Sequence, residues 1–312
     1  MRTTAVLFER PGKLSVRSLS LQEPANGDVV VETLVSGVST GTEKLLFEGK
    51  MPSFPGMGYP LVPGYESVGR VLEAGPGSGR KAGELVFVPG ASCFKDAAGL
   101  FGSTAQHLVV PGSRVHQVPQ DLEEEAALLA LAATAYHAVR RASGPIQLVI
   151  GHGVLGRLIA RIILAIGAAP PLVWETNPSR FDGAEGYRVI DPSTDAEIRF
   201  QGVVDASGSL DAIDVAVGRM EKQGELVLAG FYGKRVGFEF APAFMREISL
   251  TISAEFRPAD IDGVLALIAQ RRLSLKGLIT HHASPANAEE AYHTAFTNPD
   301  CLKMVIDWRR AA

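Results

Sequence analysis

Three glycines, Gly151, Gly153 and Gly156, stand in a G-x-G-x-x-G spacing within GHGVLG, with His152, Val154 and Leu155 between them. A short apolar run, Ile146 to Ile150, precedes them, and a segment of helical periodicity follows. A second apolar run, Pro171 to Trp174, ends on Glu175, 19 residues beyond Gly156. Each part suits the holding of a dinucleotide. The first glycine permits a tight strand-to-helix turn, the second lets the backbone approach a pyrophosphate, and the third lets the helix lie against its strand. The helix that begins there presents free N–H groups and the positive end of its dipole to the same anion. A carboxylate at the end of the second strand accepts hydrogen bonds from a ribose diol and repels a 2′-phosphate, so Glu175 favours NAD over NADP. His152 reads as a filler of the turn, and Arg180 as a solvated surface arginine.

The elements around this unit fall into two textures. Residues 3 to 120 read as short strands separated by turns: Thr4 to Phe8, Leu14 to Arg17, Val29 to Ser36, Pro63 to Ala74, Glu84 to Pro89 and His107 to Val110. Many short strands with Gly/Pro turns predict a small, partly open barrel. Beyond Pro119, Asp121 is expected to cap a helix with Glu124 as its capping-box partner, and Ala126 to Arg141 continues it. After the glycine turn, strands and helices alternate. Strands are expected at Arg188 to Ile190, Gly202 to Ala206, Glu225 to Ala229 and Leu250 to Ala254, with helices at Leu210 to Met220 and Pro258 to Arg272. Alternation predicts a parallel sheet covered by helices. A last strand, Lys303 to Asp307, ends the chain. The whole reads as a nucleotide-binding domain, residues 126–256, inserted between two parts of a barrel-like domain, residues 1–125 and 257–312. A cleft between the domains is the expected ligand site.

Composition narrows the possible partners. A chain of 312 residues, 46% hydrophobic and 21% charged, has the profile of two globular domains. A net charge of −4 gives no footprint for nucleic acid or an anionic membrane. No charge-free apolar run is long enough to span a bilayer, and the N-terminus reads as a strand and turn instead of a signal peptide. Two isolated cysteines, Cys93 and Cys301, build neither a disulfide framework nor a cysteine-cluster metal site, so a cytoplasmic location is expected.

The order of SGVSTGTE (Ser36 to Glu43), PGYESVGRV (Pro63 to Val71), TAYHA (Thr134 to Ala138), GHGVLG, VVDASG (Val203 to Gly208), GELVLAG (Gly224 to Gly230) and LITHH (Leu278 to His282) resembles the medium-chain dehydrogenase/reductase family. The resemblance implies an α/β fold: a Rossmann-type doubly wound parallel sheet inserted in a GroES-like, partly open β-barrel domain. It also implies that Thr134 faces the nicotinamide and that Ser207, Gly208, Gly230 and Phe231 edge the cofactor. A homodimer joined through the strand Leu250 to Ala254 follows from the same likeness. The run Met51 to Val71, with SGVSTGTEKLL and FVPGASCF, is similar to the branch of the family that acts on bacteriochlorophyllide-type tetrapyrroles. That branch oxidises a 3-(1-hydroxyethyl) group to 3-acetyl with NAD.

Zinc-containing members of the family place a cysteine, a histidine and a third ligand where this chain has Ser39 or Thr40, Tyr65 and Ala130. A hydroxyl, a phenol and a methyl do not make a tetrahedral zinc site, so no bound zinc is expected. Alcohol oxidation then needs a proton acceptor within hydrogen-bond reach of the substrate hydroxyl. Thr42, Glu43, Tyr65 and Glu66 are the candidates, with Tyr65 and Thr42 on the substrate oxygen and Glu43 or Glu66 completing a relay. Glu66 reads equally as a structural carboxylate paired with an arginine. Met51, Phe54, Met57 and Tyr59 offer soft and aromatic surface to a flat apolar substrate. His281 and His282 read as surface residues. Two other functions share these features: a zinc-free NAD(P)H-dependent reductase of quinones or enoyl compounds, and a cofactor-binding protein without catalysis.

Overall fold

The computed structural model describes residues 1–310, apart from Phe54 and residues 196–198. The expectation for Phe54 therefore lies outside the described residues. The chain forms two compact units. One comprises Met1–Leu129 with Leu278–Ala312, and the other Ala130–Gly277.

In the first unit, β1 (Arg2–Arg10) and β2 (Lys13–Ser20) form an antiparallel hairpin. Then follow β3 (Asp28–Val38), α1 (Thr42–Phe47), β4 (Ser67–Ala74), β5 (Leu85–Val88), β6 (His107–Pro111) and β7 (His116–Gln117). The strand β3 pairs antiparallel with both β4 and β6, so the larger sheet branches there. Val29 and Val31 of β3, Val71 of β4 and Val86 of β5 are buried together in one core. The expected strand from Pro63 begins only at Ser67. Gly64 has φ +100, a left-handed turn, and a side chain there would overlap Thr104.

The second unit opens with α2 (Leu129–Arg141) and β8 (Leu148–Ile150), then α3 (Val154–Ala165), β9 (Leu172–Trp174), β10 (Arg188–Ile190) and β11 (Phe200–Asp205). It continues with α4 (Leu210–Arg219), β12 (Met220–Leu228), α5 (Phe240–Arg246), β13 (Ser249–Ile252) and α6 (Pro258–Ala269). Its six strands run parallel in the order β10-β9-β8-β11-β12-β13. This is the doubly wound order, whose topological switch lies between β8 and β11. All three residues of β8 are buried, as a central parallel strand requires. The chain then returns to the first unit with β14 (His281–Ala283), α7 (Ala288–Thr297) and β15 (Met304–Asp307), and β15 pairs with β3.

Three expectations are corrected. The segment before α2 has Pro119 at its start and no side-chain cap, so Asp121 and Glu124 form no capping box. Glu123 adopts φ 39 and breaks the helix there, and Glu124 turns to His282. The return to the first unit comes at Leu278, later than residue 257. The reason is that α6 is tied to α2 by the buried His137–Asp260 pair at 2.9 Å, and Arg161 of α3 holds the carbonyls of Ser274 and Lys276. Helices α1, α5 and α7 and strand β14 carry too little periodic pattern to be read in advance.

The closest backbone approach in the second unit is at Gly156, where any Cβ would overlap the carbonyl oxygen of Gly151. Gly156→Ala is expected to cost about 3 kcal/mol through overpacking. Thermal unfolding of the purified variant checks it, and an unchanged melting temperature would count against the close packing of α3 on β8.

Candidate active site

The glycine turn sits where the sheet order reverses. Gly151 has φ +94, open to glycine at no steric cost, and a Cβ on it would lie only 3.1 Å from the Ser207 Cα. Above Gly153 the space is open: a Cβ there would meet only Arg180, at 3.8 Å. No side chain caps α3, which leaves its first N–H groups for an anion. Glu175 is buried at the end of β9. One carboxylate oxygen accepts from the His152 N–H at 2.8 Å, the other from Thr176 and Asn177 at 2.8 and 2.9 Å. The two loops after β11 and β12 pack backbone to backbone, with a Cβ on Gly230 only 2.6 Å from the Gly208 nitrogen. Buried Asp205 ties them together: it accepts from Ser207 and Gly208 and from the hydroxyl of Tyr232. Phe231 is exposed beside them. The turn, the helix end and the acid fit a dinucleotide's diphosphate and ribose. Thr134 is half-buried and bonds the carbonyl of Ala130, one turn back in its own helix, at 2.9 Å.

In the first unit, sheet register gathers the acid–base candidates. Glu66 immediately precedes β4 and Lys303 precedes β15, and β3 pairs with both strands. Gly37 lies between them, donating its N–H to the Glu66 carbonyl at 2.9 Å. A side chain at Gly37 would overlap the Glu66 carboxylate. In that space Glu66 and Lys303 form an ion pair, both almost wholly buried. The partner is thus a lysine where an arginine was considered.

Glu43, in the first turn of α1, is fully buried, and no hydrogen-bond geometry satisfies either carboxyl oxygen. The phenol of Tyr292 and the Ser39 backbone lie close enough to perturb it. Burial, reinforced by the negative charge of Glu66, pushes its pKa up to about 8. Tyr65 is half-buried and donates to Ser39 Oγ at 2.7 Å, with Thr42 also near its hydroxyl. Burial and the charge of Glu66 push the Tyr65 phenol well up, so it stays protonated. The two oxygens at the first two zinc-ligand positions therefore serve one another, and Ala130 brings a buried methyl. This donor set does not fit zinc. Among the described residues, no cluster of three or more His, Cys, Asp or Glu side chains is arranged to hold a metal ion.

The expected substrate surface divides. Met51 is buried in the core with Phe8, Leu46 and Tyr292, which corrects its assignment as a contact residue. Met57 and Tyr59 stay half-exposed, with the Tyr59 hydroxyl bonded to the Leu46 carbonyl. His281 and His282 bond Thr280 and Glu124 near the surface. Three residues escaped the sequence reading. Lys303 had a signal, a lysine at the head of the apolar strand MVID. Tyr292 had none. Phe101 holds φ 66, uncommon for a bulky residue, and its ring meets Tyr65 edge-on at 5.1 Å.

Removing the cation tests the ion pair. Lys303→Met leaves Glu66 buried and unpaired, and should cost about 3–5 kcal/mol. The double change Lys303→Met with Glu66→Gln should recover most of that. Urea midpoints decide, and a harmless single substitution would contradict the pairing.

Comparison with known proteins places this geometry. Residues 25–120 match the alcohol dehydrogenase GroES-like domain. The chain is 52% identical, over the whole of both chains, to the 2-desacetyl-2-hydroxyethyl bacteriochlorophyllide A dehydrogenases of Cereibacter sphaeroides and Rhodobacter capsulatus. Among solved structures, L-idonate 5-dehydrogenase from Escherichia coli superposes with a TM-score of 0.86 at 20% identity, covering 99% of each chain. The 2R,3R-butanediol dehydrogenase of Bacillus subtilis gives 0.84 at 20% identity, covering 98% of this chain and 99% of that one. Full-length identity of this order, on a fold shared with alcohol dehydrogenases, makes the chain a member of the medium-chain dehydrogenase/reductase family.

Proposed function

We propose that the chain is an NAD-dependent dehydrogenase that oxidises the 3-(1-hydroxyethyl) group of a bacteriochlorophyllide-type tetrapyrrole to 3-acetyl, in bacteriochlorophyll biosynthesis. The observation that carries this reading is the 52% identity, end to end, to two dehydrogenases named for such a substrate. A structural neighbour carries NADH and another NADP, which supports a nicotinamide cofactor. The buried carboxylate of Glu175 supports NAD, because a 2′-phosphate beside it would be repelled.

Oxidation removes a hydride from the carbinol carbon and a proton from its oxygen. When bound, the nicotinamide takes the hydride. The chain's own groups take the proton. Tyr65 donates to Ser39, so its remaining lone pairs are free to accept from the substrate hydroxyl. The substrate proton passes to Tyr65 as the phenol proton moves to Ser39, and Thr42 adds a third hydroxyl to the relay. Glu43, once ionised, is the final acceptor: burial first, and the charge of Glu66 second, keep it neutral until the pH approaches 8, so the relay delivers its proton only as Glu43 loses its own. Glu66 itself is committed to Lys303 and acts by its charge. Phe101, Met57 and Tyr59 supply apolar surface for the macrocycle.

The working form in this reading is a cytoplasmic homodimer. Both cysteines are buried and neither is in a disulfide, as in a reducing compartment. No helix among the described residues is long and apolar enough to cross a membrane. The outer strand β13 exposes Leu250 and Ile252, and α5 exposes Phe240, Phe244 and Met245 at 70%, 63% and 71%. Leu250, Phe240, Phe244 and Met245, with Phe238 and Leu226, line a groove of about 480 Å³. An uncovered strand edge beside an apolar groove suits pairing with the same strand of a second copy about a two-fold axis.

Three outcomes are expected. Tyr65→Phe lowers kcat for the hydroxyethyl pigment by about 100-fold, a general-base-sized effect, and leaves the KM for NAD unchanged. Wild-type kcat/KM rises with pH through an apparent pKa near 8, as Glu43 loses its proton, and Glu43→Gln removes that limb. Absorption of the pigment in the red follows both, and equal turnover or an unaltered pH profile would remove the residue concerned from the mechanism. Phe244→Glu combined with Ile252→Lys yields a monomer by sedimentation, whereas a persistent dimer would place the interface elsewhere.

A further inference from the structure

We infer that His152 is a positioning residue for the adenosine half of the cofactor. With Tyr187 and Arg157 it locks the loop of residues 176–187 onto the glycine turn and holds Glu175 in the orientation that selects an unphosphorylated ribose. The inference rests on the nucleotide reading above and deepens it.

A residue that merely filled the turn would need no directional partners. His152 is fully buried and has one at every polar atom. Its ring Nδ1 lies 2.6 Å from the carbonyl of Arg180, which only accepts, so Nδ1 carries the proton. Nε2 is then bare and accepts from the Tyr187 hydroxyl at 2.9 Å. Burial lowers the ring's pKa to about 4, which keeps this neutral tautomer throughout the neutral range. The backbone N–H of His152 donates to Glu175, and its carbonyl accepts from Arg157 Nε at 3.0 Å. Arg157, also buried, reaches on to the Arg180 carbonyl at 3.1 Å and packs on Gly183, where a side chain would displace its guanidinium. One residue thus joins turn, acid and loop.

The consequence falls on the acid. Three backbone N–H groups already bond the Glu175 carboxylate, which has about four acceptor directions. One direction is left for a ribose hydroxyl. A 2′-phosphate would meet an anion that cannot turn away, because the loop carrying its neighbours is pinned by the imidazole and the guanidinium. Freeing the loop should therefore weaken NAD and relax discrimination against NADP.

Isothermal titration of the full-length chain with NAD and with NADP tests this. His152→Ala should raise the Kd for NAD about tenfold, the scale of one well-made hydrogen bond to an anchored group, while the Kd for NADP changes little. His152→Asn should recover most of the loss, since the amide nitrogen takes the place of Nδ1. Amide exchange across residues 176–187 should quicken in the alanine variant. Should His152→Ala not fold, Tyr187→Phe is judged by the same ratio of affinities. A wild-type NAD/NADP ratio, or equal losses for both nucleotides, overturns the inference alone. Wild-type protein that binds neither nucleotide overturns the cofactor reading, and this inference with it.

Discussion

The buried ion pair of Glu66 and Lys303 adds a charge to a site whose protonation is governed first by burial. Its room is made by Gly37, whose missing side chain lets two strand ends meet across β3. Taking two charges out of water is costly, and their attraction repays this only when the geometry is good. What the pair provides is a fixed negative charge close to two other acids. That charge helps hold Glu43 neutral to about pH 8 and keeps the Tyr65 phenol protonated. The pair thus adds to the raised pKa of the proposed proton acceptor.

The nucleotide turn and the acid–base cluster differed in how far the sequence disclosed them. The nucleotide half is local. Strand, glycine turn, helix, strand and acid follow one another within Ile146 to Asn177, and each glycine has a backbone reason that the structure bears out: positive φ at Gly151, open space over Gly153 and close packing at Gly156. The catalytic half is assembled from distant segments. Thr42, Glu43, Tyr65 and Glu66 were reachable through the family's motifs, but Lys303 and Tyr292 arrive from the far end of the chain by strand pairing and helix packing, and no spacing rule encodes that. Met51 shows the opposite failure. Its sequence neighbours are loop residues, yet the chain turns it inward against Phe8 and Tyr292. Asp121 shows a third: good capping chemistry was overridden when Glu123 took a non-helical backbone.

The loss of the zinc-ligand set also reads differently in three dimensions. In sequence it is three substitutions. In the structure, Tyr65 and Ser39 have become partners, Thr42 stands beside them, and the carboxylates behind them remain. A metal ion stabilises an alkoxide directly, by charge. A chain of neutral hydroxyls cannot do that; it can only carry a proton away and orient the oxygen that loses it. Such a site serves an alcohol whose carbinol carbon needs little help in giving up hydride.

The proposed substrate has that property. Its carbinol carbon is attached directly to a conjugated macrocycle, so positive charge developing there as hydride leaves is spread over the ring. Less alkoxide character is then needed at the oxygen in the transition state. The demand on the protein shifts from charge stabilisation to holding a large ring in place, which is work for apolar surface. Phe101, held in a left-handed backbone conformation with its ring edge-on to Tyr65, joins those two tasks in the proposed mechanism: a residue of the proposed apolar wall also braces the phenol proposed to receive the proton. Backbone strain of this kind persists only where the surroundings enforce it. Here they do: the Phe101 carbonyl accepts from Ala91 at 2.5 Å, and Gly102 follows where no side chain would fit.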